Sequence, residues 1–188
     1  MSDTELKEAE LLLEAYGWCP DENRAGEVIA LVKNIIDPFL VKRDPRAIWL
    51  KATMPNMGEE ECISDEEFDE KWLELIKESS EGNCAEAQYS YGCHLYELDK
   101  CDEAVELYKQ AAYQGYAPAQ WCFGLDTLNG IGVPKDEKIG LHYIRLSAEQ
   151  QYEYAIEFMI RNCKEGKFGF KKDKTEIKKW EIILSQSQ

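Results

Sequence analysis

Apolar residues recur at steps of three and four along most of this chain, the spacing that lines one face of an α-helix. No segment alternates with the two-residue period of a strand at comparable strength. The first stripe, Leu6, Ala9, Leu12, Leu13 and Tyr16, predicts a helix over residues 4–16, which Gly17 ends before a turn at Pro20-Asp21. A second helix is expected over 22–36, with Val28, Ile29, Leu31, Val32, Ile35 and Ile36 turned inward. Asp37-Pro38 should interrupt it, because the residue before a proline is pushed out of helical geometry.

Asp44-Pro45 is a start signal: the aspartate can accept from orphan amides, and proline suits the first helical position. The helix it opens carries Ala47, Ile48, Leu50 and Lys51, and Pro55 and Gly58 close that stretch. Ser64 and Glu67 have the spacing of a capping box, followed by Phe68, Trp72, Leu73, Leu75 and Ile76. Asp65, Glu66 and Glu67 complement the positive end of that helix.

Self-similarity sets the expected architecture. Ala119-Gln120-Trp121-Cys122-Phe123-Gly124 echoes Ala87-Gln88-Tyr89-Ser90-Tyr91-Gly92, 32 residues earlier. Ala119 matches Ala155, and Gly130 matches Gly166, both at a step of 36. Such a period marks two-helix units that cannot bury their apolar faces alone and must stack. The fold class expected is therefore all-α, a solenoid of stacked helical hairpins, with an acidic helical region at 1–71 and the repeat region at 72–188. Ala87, Ala111, Ala112, Ala119, Ala148 and Ala155 let helices approach closely. Gly92 and Gly124 fall inside helices at a cost of about 1 kcal/mol against Ala, which implies large neighbours such as Tyr or Trp lying on the backbone. Gly115 stops a helix and Pro118 helps start the next.

Composition narrows the function classes. With 44% hydrophobic and 11% aromatic residues the chain can build a core. No run reaches the roughly 18 apolar residues that a membrane helix needs, and the first residues lack a secretory pattern, so a cytoplasmic location is expected. Seven cysteines, an odd number without a C-x-x-C pair, read as free thiols, and the separated His94 and His142 complete no metal-ligand cluster. The net charge is −15, with a local −10 over residues 59–86 and a local +5 over 161–180. That balance repels phosphate backbones and steers a basic partner. Gly130-Ile131-Gly132 follows a helix and lacks the remainder of a phosphate loop, so it reads as an inter-helix turn. Cys93 and His94 are neighbours on a helix and point about 100° apart, a poor nucleophile–base pair.

Residues 111–150, AAYQGYAPAQWCFGLDTLNGIGVPKDEKIGLHYIRLSAEQ, resemble a Sel1-like repeat, a relative of the tetratricopeptide repeat. That family's pattern is a paired Ala, a Gly, an Ala-Gln pair and Leu-Gly, then a G-x-G-V-x-x-D loop that Gly130, Gly132, Val133 and Asp136 fit. The likeness extends more loosely over 72–184; residues 1–71 match no named motif. The unit at Ala85 is four residues short, with Glu97-Leu98-Asp99-Lys100 replacing the glycine loop. The last unit carries Met159-Ile160 in place of Leu-Gly, as a capping repeat would. Ala112 and Gln120 stand where some secreted relatives carry stapling cysteines, so that disulfide scheme is absent, and the β-lactamase activity suggested for those relatives gains no support.

The resemblance implies a non-enzymatic module that binds a protein through its concave face, with no cofactor, metal or nucleic acid. The ligand-facing positions carried over from tetratricopeptide units are Tyr89, Cys93, Tyr96 and Glu97, then Trp121, Leu125 and Leu128; Glu66 and Glu70 add an acidic flank. Some small bacterial relatives resemble immunity proteins, so a basic toxin or effector is the expected partner. The alternative is an adaptor that takes a peptide or helix in the groove.

Overall fold

The capping signals nucleate helices where the sequence places them. In the computed structural model, which describes residues 2–16, 22–54, 64–170 and 172–186, the Asp44 carboxylate accepts from the amides of Arg46 (3.0 Å) and Ala47 (3.2 Å). Ser64 Oγ accepts from the Glu67 amide at 3.2 Å, while the Glu67 carboxylate pairs with Lys71 at 2.9 Å. The described residues form ten helices and no strand: α1 Ser2–Tyr16, α2 Glu22–Leu40, α3 Pro45–Thr53, α4 Asp65–Glu81, α5 Ala85–Glu97, α6 Cys101–Tyr113, α7 Ala117–Asn129, α8 Glu137–Glu149, α9 Glu153–Glu165 and α10 Lys174–Gln186. Gly17, Pro20, Asp21, Pro55 and Gly58, the side chain of Tyr16, and the thiols of Cys19 and Cys62 lie outside the described residues.

Two expectations in α2 are corrected. The helix runs through Pro38 to Leu40, and the amide of Val41 still donates to the Asp37 carbonyl at 3.1 Å. Pro38 withdraws only its own amide, the donor that would reach the carbonyl of residue 34, and the chain beyond it stays helical to Leu40. Leu31 is 52% exposed rather than inward, because Val32 and Ile36 already fill that face and are almost fully buried.

The chain divides within α5 into two compact units, Met1–Tyr91 and Gly92–Gln188. In the first unit, Leu6, Ala9, Val32, Ile36, Ala47, Leu50 and Met54 make a core shared by α1, α2 and α3. Arg46 bridges to Glu10 at 2.6 Å, tying α3 to α1. In the second unit, Leu128, Ile144, Ile156, Met159 and Trp180 make a core shared by α7 to α10.

One pair of hydrogen bonds recurs along the chain and explains why the repeat has its residues. Gln88 Nε2 donates to the Ser80 carbonyl eight residues back at 3.5 Å, and Gln120 Nε2 donates to the Ala112 carbonyl at 3.3 Å. Each ties the start of one helix to the orphan carbonyls ending the previous one. Ser79 Oγ donates to the Pro45 carbonyl at 2.6 Å, and Ser147 Oγ donates to the Ala117 carbonyl at 2.7 Å. Pro45 and Ala117 both open helices, so α3–α4 is fastened as α7–α8 is. The repeat geometry thus reaches into the region where the sequence shows no motif.

Glycines set how closely the helices approach. A Cβ on Gly92 would meet the Tyr108 ring at 2.7 Å, which is the aromatic neighbour expected. Gly124 differs: its space is taken by Ile144 Cγ1 at 2.8 Å and the Gly140 carbonyl at 2.9 Å, so α7 and α8 cross backbone to backbone. Gly130 and Gly166 cap α7 and α9 in the left-handed region (φ 79° and 73°). The short unit closes through Leu98, Asp99 and Lys100 alone, with Asp99 at φ 60°.

Candidate partner-binding surface

The sequence-derived positions separate into three environments. In the second unit, Tyr96 is 37% exposed at the end of α5, Glu97 beside it is exposed, and Cys93 one turn earlier is half-buried, its sulfur accepting from Tyr108 Oη at 3.5 Å. On α7 the stripe of Trp121, Leu125 and Leu128 turns into the core. Trp121 meets Phe158 of α9 edge to face with ring centroids 5.8 Å apart, Leu125 packs against the same cluster, and Leu128 is 2% exposed. Leu128 therefore offers a partner almost no surface. In the first unit, Tyr89 is half-buried, and Glu66 and Glu70 stand exposed on α4 without an ion pair among the described residues.

The next stripe of α7, one residue on, meets α5 and α6. Asp126 is 7% exposed, and burial alone pushes its carboxyl up from 3.8 to about 6. Among the described residues no hydrogen-bond donor and no cation holds the charge. The Tyr96 phenol is raised by burial first and by Asp126, Cys101 and Cys122 next. The Tyr108 phenol is raised by burial, by its bond to Cys93, and then by Cys122 and Asp126. Sequence reasoning passed over Asp126, although it is the only charged residue in the thirteen of α7.

Two other features of the second unit are distinct. Tyr113, 65% exposed, stacks on Tyr143 with centroids 6.1 Å apart, and Phe123 supports Tyr143 from below at 4.9 Å. Between α9 and α10 a surface hollow of about 500 Å³ is crossed by the Lys164–Glu181 pair at 2.8 Å. Arg161, Glu157 and Glu165 on its rim leave it without a field of one sign. Cys84 in the first unit donates to Glu86 at 3.2 Å, and burial with that carboxylate pushes its thiol up to about 12. No group of three His, Cys, Asp or Glu among the described residues is placed to hold a metal, and no described helix is long and apolar enough to cross a membrane.

Neither family models nor curated protein sequences match this chain. Solved structures do. A Sel1 repeat protein from Oxalobacter formigenes superposes with a TM-score of 0.68 at 18% identity, over 100% of this chain and 74% of that one. The protective antigen c5321, present in uropathogenic Escherichia coli strains and displaying an SLR fold, superposes with a TM-score of 0.63 at 20% identity, over 100% of this chain and 40% of that one. The fold is thus all-α and of the Sel1-repeat solenoid kind, as the hairpin pattern predicts.

Proposed function

From the premise of a Sel1-repeat fold, we propose that this chain is a protein-binding module that neutralises a basic partner, a toxin or effector domain, in the manner of an immunity protein. The observation that carries this reading is unbalanced acidity on an interaction scaffold: a net charge of −15, with Glu66 and Glu70 exposed and unpaired among the described residues of α4. Exposed acids of that kind raise the association rate with a cationic surface and are screened by salt. Tyr96 and Glu97 offer an amphipathic anchor with an adjacent charge, the kind of residue pair that concentrates binding energy. No side chain is nominated for catalysis.

Affinity purification from the native host followed by a salt titration tests the reading. A captured basic protein whose affinity falls steeply from low to physiological salt, and whose toxicity is relieved by co-expression, supports it. Absence of protection by co-expression with the captured protein or the neighbouring gene product overturns it. The second reading, an adaptor that seats a partner peptide or helix, is favoured by the exposed aromatic Tyr96 and predicts affinity nearly indifferent to salt.

A further inference from the structure

α9 lies on a seat formed by α7 and α8. Trp121 meets Phe158 with ring centroids 5.8 Å apart, and Leu125, Leu128 and Ile144 belong to the same core. α9 and α10 repeat that pair of helices, thirteen residues for thirteen, α9 at a step of 36 from α7 and α10 at a step of 37 from α8. These steps carry Trp121 to Glu157, Leu125 to Arg161, Leu128 to Lys164 and Ile144 to Glu181. All four line the hollow of about 500 Å³ between α9 and α10, together with Glu165 and the apolar Ile160 and Leu184. The hollow is therefore the next seat of the stack, with four apolar side chains exchanged for charges, and no helix among the described residues covers it.

The pairing of those charges decides what the seat can take. Lys164 and Glu181 bridge across it at 2.8 Å, and Glu165 turns to Lys167 at 2.6 Å. Both bridges are well exposed, and a bridge of that kind gives way at little cost. Glu157 and Arg161 stand one turn apart on α9, both exposed, and neither makes an ion pair among the described residues. The seat thus offers a carboxylate and a guanidinium side by side, next to Ile160 and Leu184.

We propose that the α9–α10 hollow seats a helix of a protein partner that lays down a basic residue and, one turn away, an acidic one, flanked by apolar side chains for Ile160 and Leu184. The occupant is a helix because the same seat one repeat earlier holds α9. It carries both charges because an all-apolar face would strip water from Glu157 and Arg161 without replacing it, whereas matched side chains form charge-assisted hydrogen bonds. Such a seat selects partners by rejecting helices with the wrong order of charge. The inference goes beyond the proposed function, since it uses neither the acids of α4 nor Tyr96 and needs no net charge on the partner.

The probe is α9 itself as a synthetic peptide, residues 153–165, held helical by a hydrocarbon staple joining positions 157 and 161, which line the α9–α10 hollow rather than the α7–α8 seat. One version carries Phe158→Lys and Asn162→Glu, with the cation where α9 meets Trp121 and the anion one turn on. A second carries the reverse, Phe158→Glu and Asn162→Lys. Each is titrated into the full chain labelled at isoleucine and leucine methyl groups. The first should shift the Ile160 and Leu184 signals saturably and bind at least about tenfold more tightly than the second. In the Glu157→Arg, Arg161→Glu double variant, whose fold is checked by circular dichroism, the preference should invert. No saturable shift at Ile160 and Leu184 means a merely solvated end of the stack and overturns the proposal, as does a preference that fails to invert in the folded double variant. Either failure leaves the proposed neutralisation of a basic partner standing, because protection by co-expression tests that separately.

Discussion

A carboxylate that loses water without gaining a donor is held neutral at pH values where a surface aspartate is ionised. For Asp126 the folded value of about 6 lies above the ordinary 3.8. The native state therefore binds the extra proton, and the group's contribution to stability falls as pH rises from about 4 through about 6 and is flat beyond. The full shift corresponds to roughly 3 kcal/mol, and residual solvent access reduces this to about 1–2 kcal/mol. Asp126→Asn should accordingly stabilise the protein by that amount at pH 7.5 and by nearly nothing at pH 4, read as the difference between urea midpoints of the two proteins at each pH. Equal gains at both values would mean that packing, not charge, is responsible. Cys84 shows burial acting on a thiol: raised to about 12, it holds about one thiolate in ten thousand at pH 8. Peptide mapping after brief iodoacetamide treatment should find Cys84 unmodified in the folded protein and modified after unfolding.

Helix crossings turn single atoms into stability. Gly140 lies under α7, and a Cβ there would meet the Gly124 carbonyl at 2.7 Å and the Leu128 amide nitrogen at 2.8 Å, both backbone atoms that cannot rotate away. Gly140→Ala gains about 1 kcal/mol of helix propensity but forces the crossing apart at about 3 kcal/mol, a net loss of about 2 kcal/mol visible in chemical denaturation. A stabilised variant would contradict this account of the crossing. Gly124 was legible in the sequence as a point of close approach, yet the nature of its neighbour was not. Periodicity tells which residues share a helix face, but not whether an aromatic side chain or another backbone lies against it. The same limit applies to Trp121, Leu125 and Leu128. Their spacing marks one stripe correctly, and only the position of α9 turns that stripe into core while the next one, with Cys122 and Asp126, meets α5 and α6.

At the scale of the whole chain, stability is distributed over two units with separate cores. Trp180, 1% exposed, closes the second core from α10. Trp180→Ala should cost about 3–5 kcal/mol, and hydrogen exchange should speed up in α8, α9 and α10 well before α1, α2 and α3. Uniform acceleration across both units would show that they open as one. The sequence by itself determined the helical class, most helix starts and the repeat period, because caps, apolar spacing and small residues act over a few residues of chain. It missed the continuation of α2 past Pro38 and the fastening of α3–α4 by Ser79, since each depends on what a distant segment leaves open. Tertiary structure alone decided which face of α7 is buried against α9 and that Asp126 is largely withdrawn from solvent: desolvation depends on neighbours brought together by folding, and no local pattern of residues records them.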